Sequence, residues 1–168
     1  MTVHIENQRT AVQRGGENTA NYTYDPIGQV MTDAAYETNG TPRLNEQLTY
    51  GYDPAGNLNF RTNNTLIQNF AVNSDNELTT ATNGGRLTVV GTTTSTNTSV
   101  TVNGSNALSY ADTTFAATNM PLTTTYTAIA QDGYGRQATN TVSVNLATNI
   151  SFQYGLFRNV PVFFHWPK

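Results

Sequence analysis

The sequence predicts an all-β protein, and three observations predict it. Threonine and asparagine dominate, with 30 Thr and 21 Asn among 168 residues. Thr suits a pleated, half-exposed strand and Asn suits a turn. No stretch sustains a 3.6-residue apolar period, the mark of an amphipathic helix. Finally, residues 22–30 read YTYDPIGQV and residues 50–58 read YGYDPAGNL, identical at five of nine positions. Internal repetition fixes architecture before any other reading.

Each copy spells a hairpin. Tyr22 and Tyr24 are two apart, as are Tyr50 and Tyr52, so each pair projects from one face of an extended strand. Asp25 and Asp53 then open a turn, their side chains placed to accept backbone N–H groups two residues on. Pro26 and Pro54 preset the next φ. Gly28 and Gly56 supply the left-handed conformation that closes a three-residue loop with a bulge. Val30 and Leu58 start the return strands. A third, degenerate copy at 70–78, FAVNSDNEL, keeps Phe70, Val72, Asn73 and Leu78. Asn76 stands there for the glycine, because Asn tolerates positive φ. A fourth start at 151–155, SFQYG, spaces Phe152 and Tyr154 correctly and then breaks off into LFRNVPVFFHWPK, with no Asp and no turn.

These copies resemble the RHS/YD-repeat proteins, large and mostly secreted or surface-exposed bacterial polypeptides that share the motif with toxin-complex shells and animal teneurins. The resemblance covers roughly residues 15–85 and returns briefly at 149–154. It implies hairpins joined in an antiparallel sheet, an extracellular or cell-surface location, and a structural, encasing or adhesive role. Two and a half repeats are too few to close a shell. The segment MTVHIENQRTAV has no signal-peptide core. A normally exported pattern that starts without an export signal and breaks off in its fourth repeat predicts a fragment. The tail is read either as truncated or out-of-frame coding sequence or as an apolar strand packing back on the sheet.

Residues 86–147 differ in kind. LTVVGTTTSTNTSVTVNGSNA alternates β-branched and small residues, with an Asn103-Gly104 turn between strand-like runs. Further on, Tyr126, Ala128 and Ala130 alternate, Asp132-Gly133-Tyr134-Gly135 turns, and Val142 and Val144 alternate again. This order resembles a small bacterial immunoglobulin-like module, inserted between the third repeat and the fourth. The expected organisation is therefore 1–85 repeat hairpins, 86–147 an Ig-like β-sandwich segment, and 148–168 a truncated repeat start and apolar tail.

Composition excludes several chemistries. The chain has no Cys, which removes disulfides, thiolate metal sites and Cys nucleophiles together. A net charge of −3, seven scattered Arg and the single Lys168 make no basic patch, so nucleic acid is not an expected partner. No 18-residue apolar run is present to span a membrane as a helix.

Sites are sparse. His4 and His165 lie near opposite ends and read as surface residues. No nucleophile elbow, zinc-protease helix, phosphate loop or dinucleotide fingerprint occurs. Asp25 and Asp53 already have turn roles. The one oxygen-rich cluster is Asn73, Asp75 and Glu77, the candidate ligands for Ca²⁺, the only cofactor the sequence offers; a degenerate hairpin turn explains it equally, and Asp112 and Asp132 are weaker candidates. Among nine Tyr, the repeat tyrosines occupy stacking positions, whereas Tyr110, Tyr126 and Tyr134 are expected to be freer to bind a glycan or small-molecule ligand. A small hydrolase for ester, lactone or glycosidic bonds, Ca²⁺-assisted, is the alternative function. The hairpin edges need covering, either by the tail, where Val160, Val162 and Phe164 alternate, or by a second chain in a homodimer.

Overall fold

The computed structural model describes residues 8–14 and 18–154. Fifteen strands and no helix follow one another among the described residues. A meander comprises β1 (Ala11–Arg14), β2 (Asn18–Tyr24), β3 (Val30–Glu37), β4 (Pro42–Tyr52), β5 (Leu58–Asn63), β6 (Leu66–Val72) and β7 (Leu78–Gly85). The chain then leaves this sheet. It builds β8 (Leu87–Thr92), β9 (Thr98–Val102), β10 (Ser105–Asn106), β11 (Leu108–Ser109), β12 (Thr114–Met120), β13 (Thr123–Asp132) and β14 (Gln137–Asn145). Finally β15 (Asn149–Ser151) returns to pair antiparallel with β7 and extends the meander to eight strands.

The strand ends fall where the repeated phrase puts them. In all three copies the second ring or aliphatic position (Tyr24, Tyr52, Val72) ends one strand, and Val30, Leu58 or Leu78 starts the next. The loop between them is the same each time. Asp25 N–H donates to Gln29 O at 2.9 Å, and Gly28 N–H donates back to Asp25 O at 3.1 Å; the equivalent bonds recur at Asp53 and Asn73. A register shift lies just before Tyr24, Tyr52 and Val72, the expected bulge. Gly28 has φ +92° and Gly56 has φ +88°, and Asn76 takes φ +61° in the glycine's place.

Repeats are tied to one another through the second tyrosine and the loops. Tyr52 Oη donates to Val30 O of the previous hairpin at 3.0 Å, and Tyr24 Oη donates to Arg9 O at 2.8 Å. At the loop end, Gln29 Nε2 reaches Gly56 O at 3.4 Å, and Asn57 Nδ2 reaches Asn76 Oδ1 at 2.9 Å. The three loops thus line up along one end of the sheet.

Among the described residues this sheet is a single layer. Among its described residues the only buried apolar side chains are Ala20 and Ala35. Stability therefore comes from cross-strand neighbours rather than from a second layer. Thr23, Thr32, Thr49 and Thr62 form one transverse row on one face, and Thr23 and Thr32 share a hydroxyl bond of 2.6 Å. The opposite face carries a polar row, in which Arg61 Nε donates to Gln68 Oε1 at 2.9 Å and Gln68 Nε2 to Asn83 Oδ1 at 2.8 Å. Within the Thr-bearing face one pair is exchanged for another: where the first repeat has Thr23 opposite Thr32, the second has Gly51 opposite Phe60. The ring lies where a side chain at 51 would be, for a Cβ there would sit 2.1 Å from Phe60 Cε1.

The inserted strands supply the only packed core among the described residues. A four-stranded sheet, order β10-β9-β13-β14, faces a three-stranded one, order β11-β12-β8. Val100, Val102, Phe115, Ala117, Met120 and Tyr126 fill the space between them. The tail expected to cover the sheet edge lies outside the described residues, as do His4 and His165.

Two stability outcomes follow. Gly56→Val forces a β-branched side chain into the left-handed region and should cost on the order of 1–2 kcal/mol in urea unfolding; an unchanged midpoint would contradict the loop geometry. Gly51→Thr and Phe60→Thr should each destabilise. The double variant rebuilds the pair of the first repeat, so its loss should fall short of the sum by about 0.5–3 kcal/mol.

Candidate functional site

The densest group of charges lies where the large sheet meets the inserted sandwich. Arg43, near the start of β4, is buried. Its guanidinium reaches three carboxylates: Glu37 Oε1 at 2.5 Å, Glu46 Oε1 at 2.8 Å and Asp112 Oδ2 at 2.9 Å. It also donates to Thr114 Oγ1 at 3.1 Å and stacks 4.7 Å from the centre of the Tyr110 ring. Tyr110 in turn accepts the Leu44 N–H at 2.7 Å through its hydroxyl and donates to Pro42 O at 3.4 Å. One planar cation with five donors can satisfy several acceptors at once, which a point-charge ammonium cannot. The junction is completed by Asn64 Nδ2 to Thr88 Oγ1 at 3.1 Å and by Asn83 Nδ2 to Ala147 O at 2.6 Å.

Electrostatics agree with the geometry. Burial alone would lower the Arg43 pKa, but its bonds to Glu46, Glu37 and Asp112 outweigh it and hold the guanidinium charged. Partial burial pushes Asp112 up. The Thr114 hydroxyl and N–H and the Arg43 pair more than offset that, so its carboxyl stays below the ordinary range. For Tyr110 burial dominates and pushes the phenol up. All three carboxylates of the group are bonded to Arg43, so none is posed as a general base toward an open space.

The tyrosines expected to be free divide. Tyr110 is only 5% exposed, and Tyr126 only 4%, its hydroxyl donating to Pro121 O. Both rings are packed in the interior, and Tyr126 also borders the cleft described below. Alternation along β13 is the same for an inward and an outward Tyr126, and Tyr110 lies just beyond β11, so the sequence could not tell which way either ring faces. Tyr134, at 89% exposure, stands open at the Asp132 turn, with the Arg136 guanidinium 5.5 Å from its ring centre. A single ring is not a stacking platform.

The Ca²⁺ candidates sit in the third hairpin loop. Asn73 Oδ1 accepts Asp75 N–H at 2.9 Å and Glu77 N–H at 3.0 Å, and Asn73 Nδ2 donates to Glu77 Oε2 at 2.8 Å. Asp25 and Asp53 spend their Oδ1 in the same way. The turn reading therefore accounts for Asn73. Among the described residues no group of three or more His, Cys, Asp or Glu side chains is placed to hold a metal ion.

Neither Arg43's role, whose partners come from separate segments, nor a cleft of about 890 Å³ between β8 and β14 is legible in the sequence. Leu87, Val89, Phe115, Tyr126, Val142 and Val144 line it. The chain matches no known family model and no curated protein.

Removing Arg43 leaves its carboxylates without their cation in a buried junction. Arg43→Met should therefore cost about 3–5 kcal/mol, with Arg43→Lys recovering only part of it in urea unfolding. Folded Asp112 binds its proton more weakly than the unfolded chain does. Its contribution is thus full above the unfolded carboxylate value, about pH 4, and is lost as pH falls through the lower folded value. Asp112→Asn should flatten the acid limb of the stability curve below about pH 4 and leave its slope at neutral pH unchanged.

Proposed function

We propose that this chain is a non-catalytic structural segment of a repeat-sheet protein of the RHS/YD kind, contributing a length of β-wall with an encasing or adhesive role outside the cell or at its surface. The observation that carries this reading is the stacking of the three hairpin loops in register. Each loop bonds to the next through a side chain that belongs to the loop itself, Gln29 to Gly56 and Asn57 to Asn76. In the first two copies the second tyrosine bonds back to the chain before the hairpin, Tyr24 to Arg9 O and Tyr52 to Val30 O. Such a sheet lengthens by adding the same unit, as stacked repeats do. Asp25, Asp53 and Asp132 are committed to turns, and Glu37, Glu46 and Asp112 to Arg43, which favours the structural reading over the hydrolytic one.

The test is turnover. Purified protein, with added Ca²⁺ or with chelator, should release no chromophore above buffer from a panel of esters, lactones and glycosides. Chelator-sensitive turnover that disappears in Asp75→Ala would establish the hydrolase instead.

A further inference from the structure

The sandwich has one side open. Among the described residues its small sheet ends at β8 and its larger sheet at β14, and each of these strands is paired along one edge only. Val142 pairs with Tyr126 and Val144 with Thr124, so the valines of β14 share the inward face with the core tyrosine. Yet Val142 is 52% exposed. The cleft of about 890 Å³ lies over these side chains, as if one strand beside β8 were missing. Residues 87–94 and 137–145 contain no charge and no proline, so the usual devices that keep strangers off a free edge are absent from both borders. A small amphipathic molecule would fill the apolar floor but leave the backbone N–H and C=O groups of β8 unpaired. An extended polypeptide satisfies both.

We propose that the occupant is the segment 160–166 of a second copy of this chain, inserted as a strand beside β8. Val160, Val162, Phe164 and Trp166 alternate there, so on a strand all four point to the cleft floor. Backbone polar groups alternate with the same period, so in one of the two directions along β8 these four residues also turn their N–H groups toward it, and the inserted strand takes that direction. In that direction Pro161, the one position without an N–H, falls on the outward, unpaired side, where proline is tolerated. The donor is a second copy because the segment starts too close to its own sheet. β15 runs antiparallel to β7, away from the sandwich, and Phe152 N–H bonds Thr79 O at the loop end. From the level of Thr79 back to Leu87 is eight residues of extended chain, about 26 Å, whereas Val160 follows Tyr154 by six, about 20 Å. Tail into cleft is a heterologous contact, which propagates head to tail into open chains unless the rotation closes a ring. This inference holds whether or not the chain forms part of a wall.

The experiment uses the full chain, the chain ending at Tyr154, and a synthetic peptide of residues 157–167. Light scattering across a concentration series should show the full chain growing beyond a dimer and the shortened chain staying monomeric. The peptide should bind the shortened chain, read by Trp166 fluorescence, and shorten the assemblies of the full chain. Val142→Arg on the shortened chain should weaken that capture by about tenfold or more while its melting curve stays cooperative. Should the shortened chain fail to fold, full-length Val162→Asp takes its place and should be monomeric. A full chain that remains monomeric, with its own sheet or a small amphipath covering the apolar surface, overturns the proposal. So does a folded shortened chain that ignores the peptide, or a Val162→Asp chain that assembles as before.

Discussion

In each hairpin loop the side-chain oxygen of the first residue accepts two backbone N–H groups, and the register of the large sheet follows from that arrangement. Asp25, Asp53 and Asn73 all do this. The bonds fix a five-residue loop with a left-handed residue fourth, which places a bulge in the preceding strand and sets which residues oppose which. A one-residue slip would turn every side chain to the other face. The same device appears in the inserted sandwich, where Asp132 Oδ1 accepts Tyr134 N–H at 2.9 Å and Arg136 N–H at 3.0 Å, with Gly135 at φ +80°. Asp53 and Asp132 both hold their carboxyls below the ordinary range, the first chiefly through Asn57 and the second chiefly through Arg136. The acceptor is strongest when charged, yet Asn73 shows that a neutral amide is enough to set the geometry.

A sheet without a second layer has to stabilise itself sideways. That explains why its composition is so rich in Thr and Asn. Thr pairs well across strands and remains compatible with water, and a row of four of them spans β2 to β5. The exchange of Thr23–Thr32 for Gly51–Phe60 shows that the constraint acts on the pair and not on either residue. Volume lost on one strand is returned by the ring on the next. The inserted sandwich follows the other rule, with two sheets enclosing apolar side chains.

The loops were legible because their requirements are local: an acceptor, a left-handed residue and an aliphatic start lie within six residues of one another. Asn76 was legible for the same reason. The burial of Tyr110 and Tyr126 was not, because whether an alternating side chain faces a core depends on a sheet formed by distant residues. Arg43 was hidden more deeply. Its partners Glu37, Glu46 and Asp112 include one 69 positions away, and an isolated Arg in TPRLNEQ looks like any exposed arginine. The cleft was hidden too, since it reflects how many strands pair and in what order.

The inserted sandwich leaves and rejoins the large sheet at adjacent strands, with Asn83 N–H bonded to Thr148 O at 3.0 Å across the two crossing points. At the crossing the large sheet therefore meets the insertion only as two chain ends one strand spacing apart, about 4.8 Å. Any unit whose own ends meet that closely fits the same doorway, and the hairpin it interrupts can close behind it. Such a junction lets the unit between β7 and β15 be replaced without rebuilding the large sheet. Arg43 of the large sheet and Tyr110 of the insertion then make the contact particular to this pairing, and the glycine at 85, whose Cβ would sit 2.1 Å from Thr65 O, belongs to the crossing point.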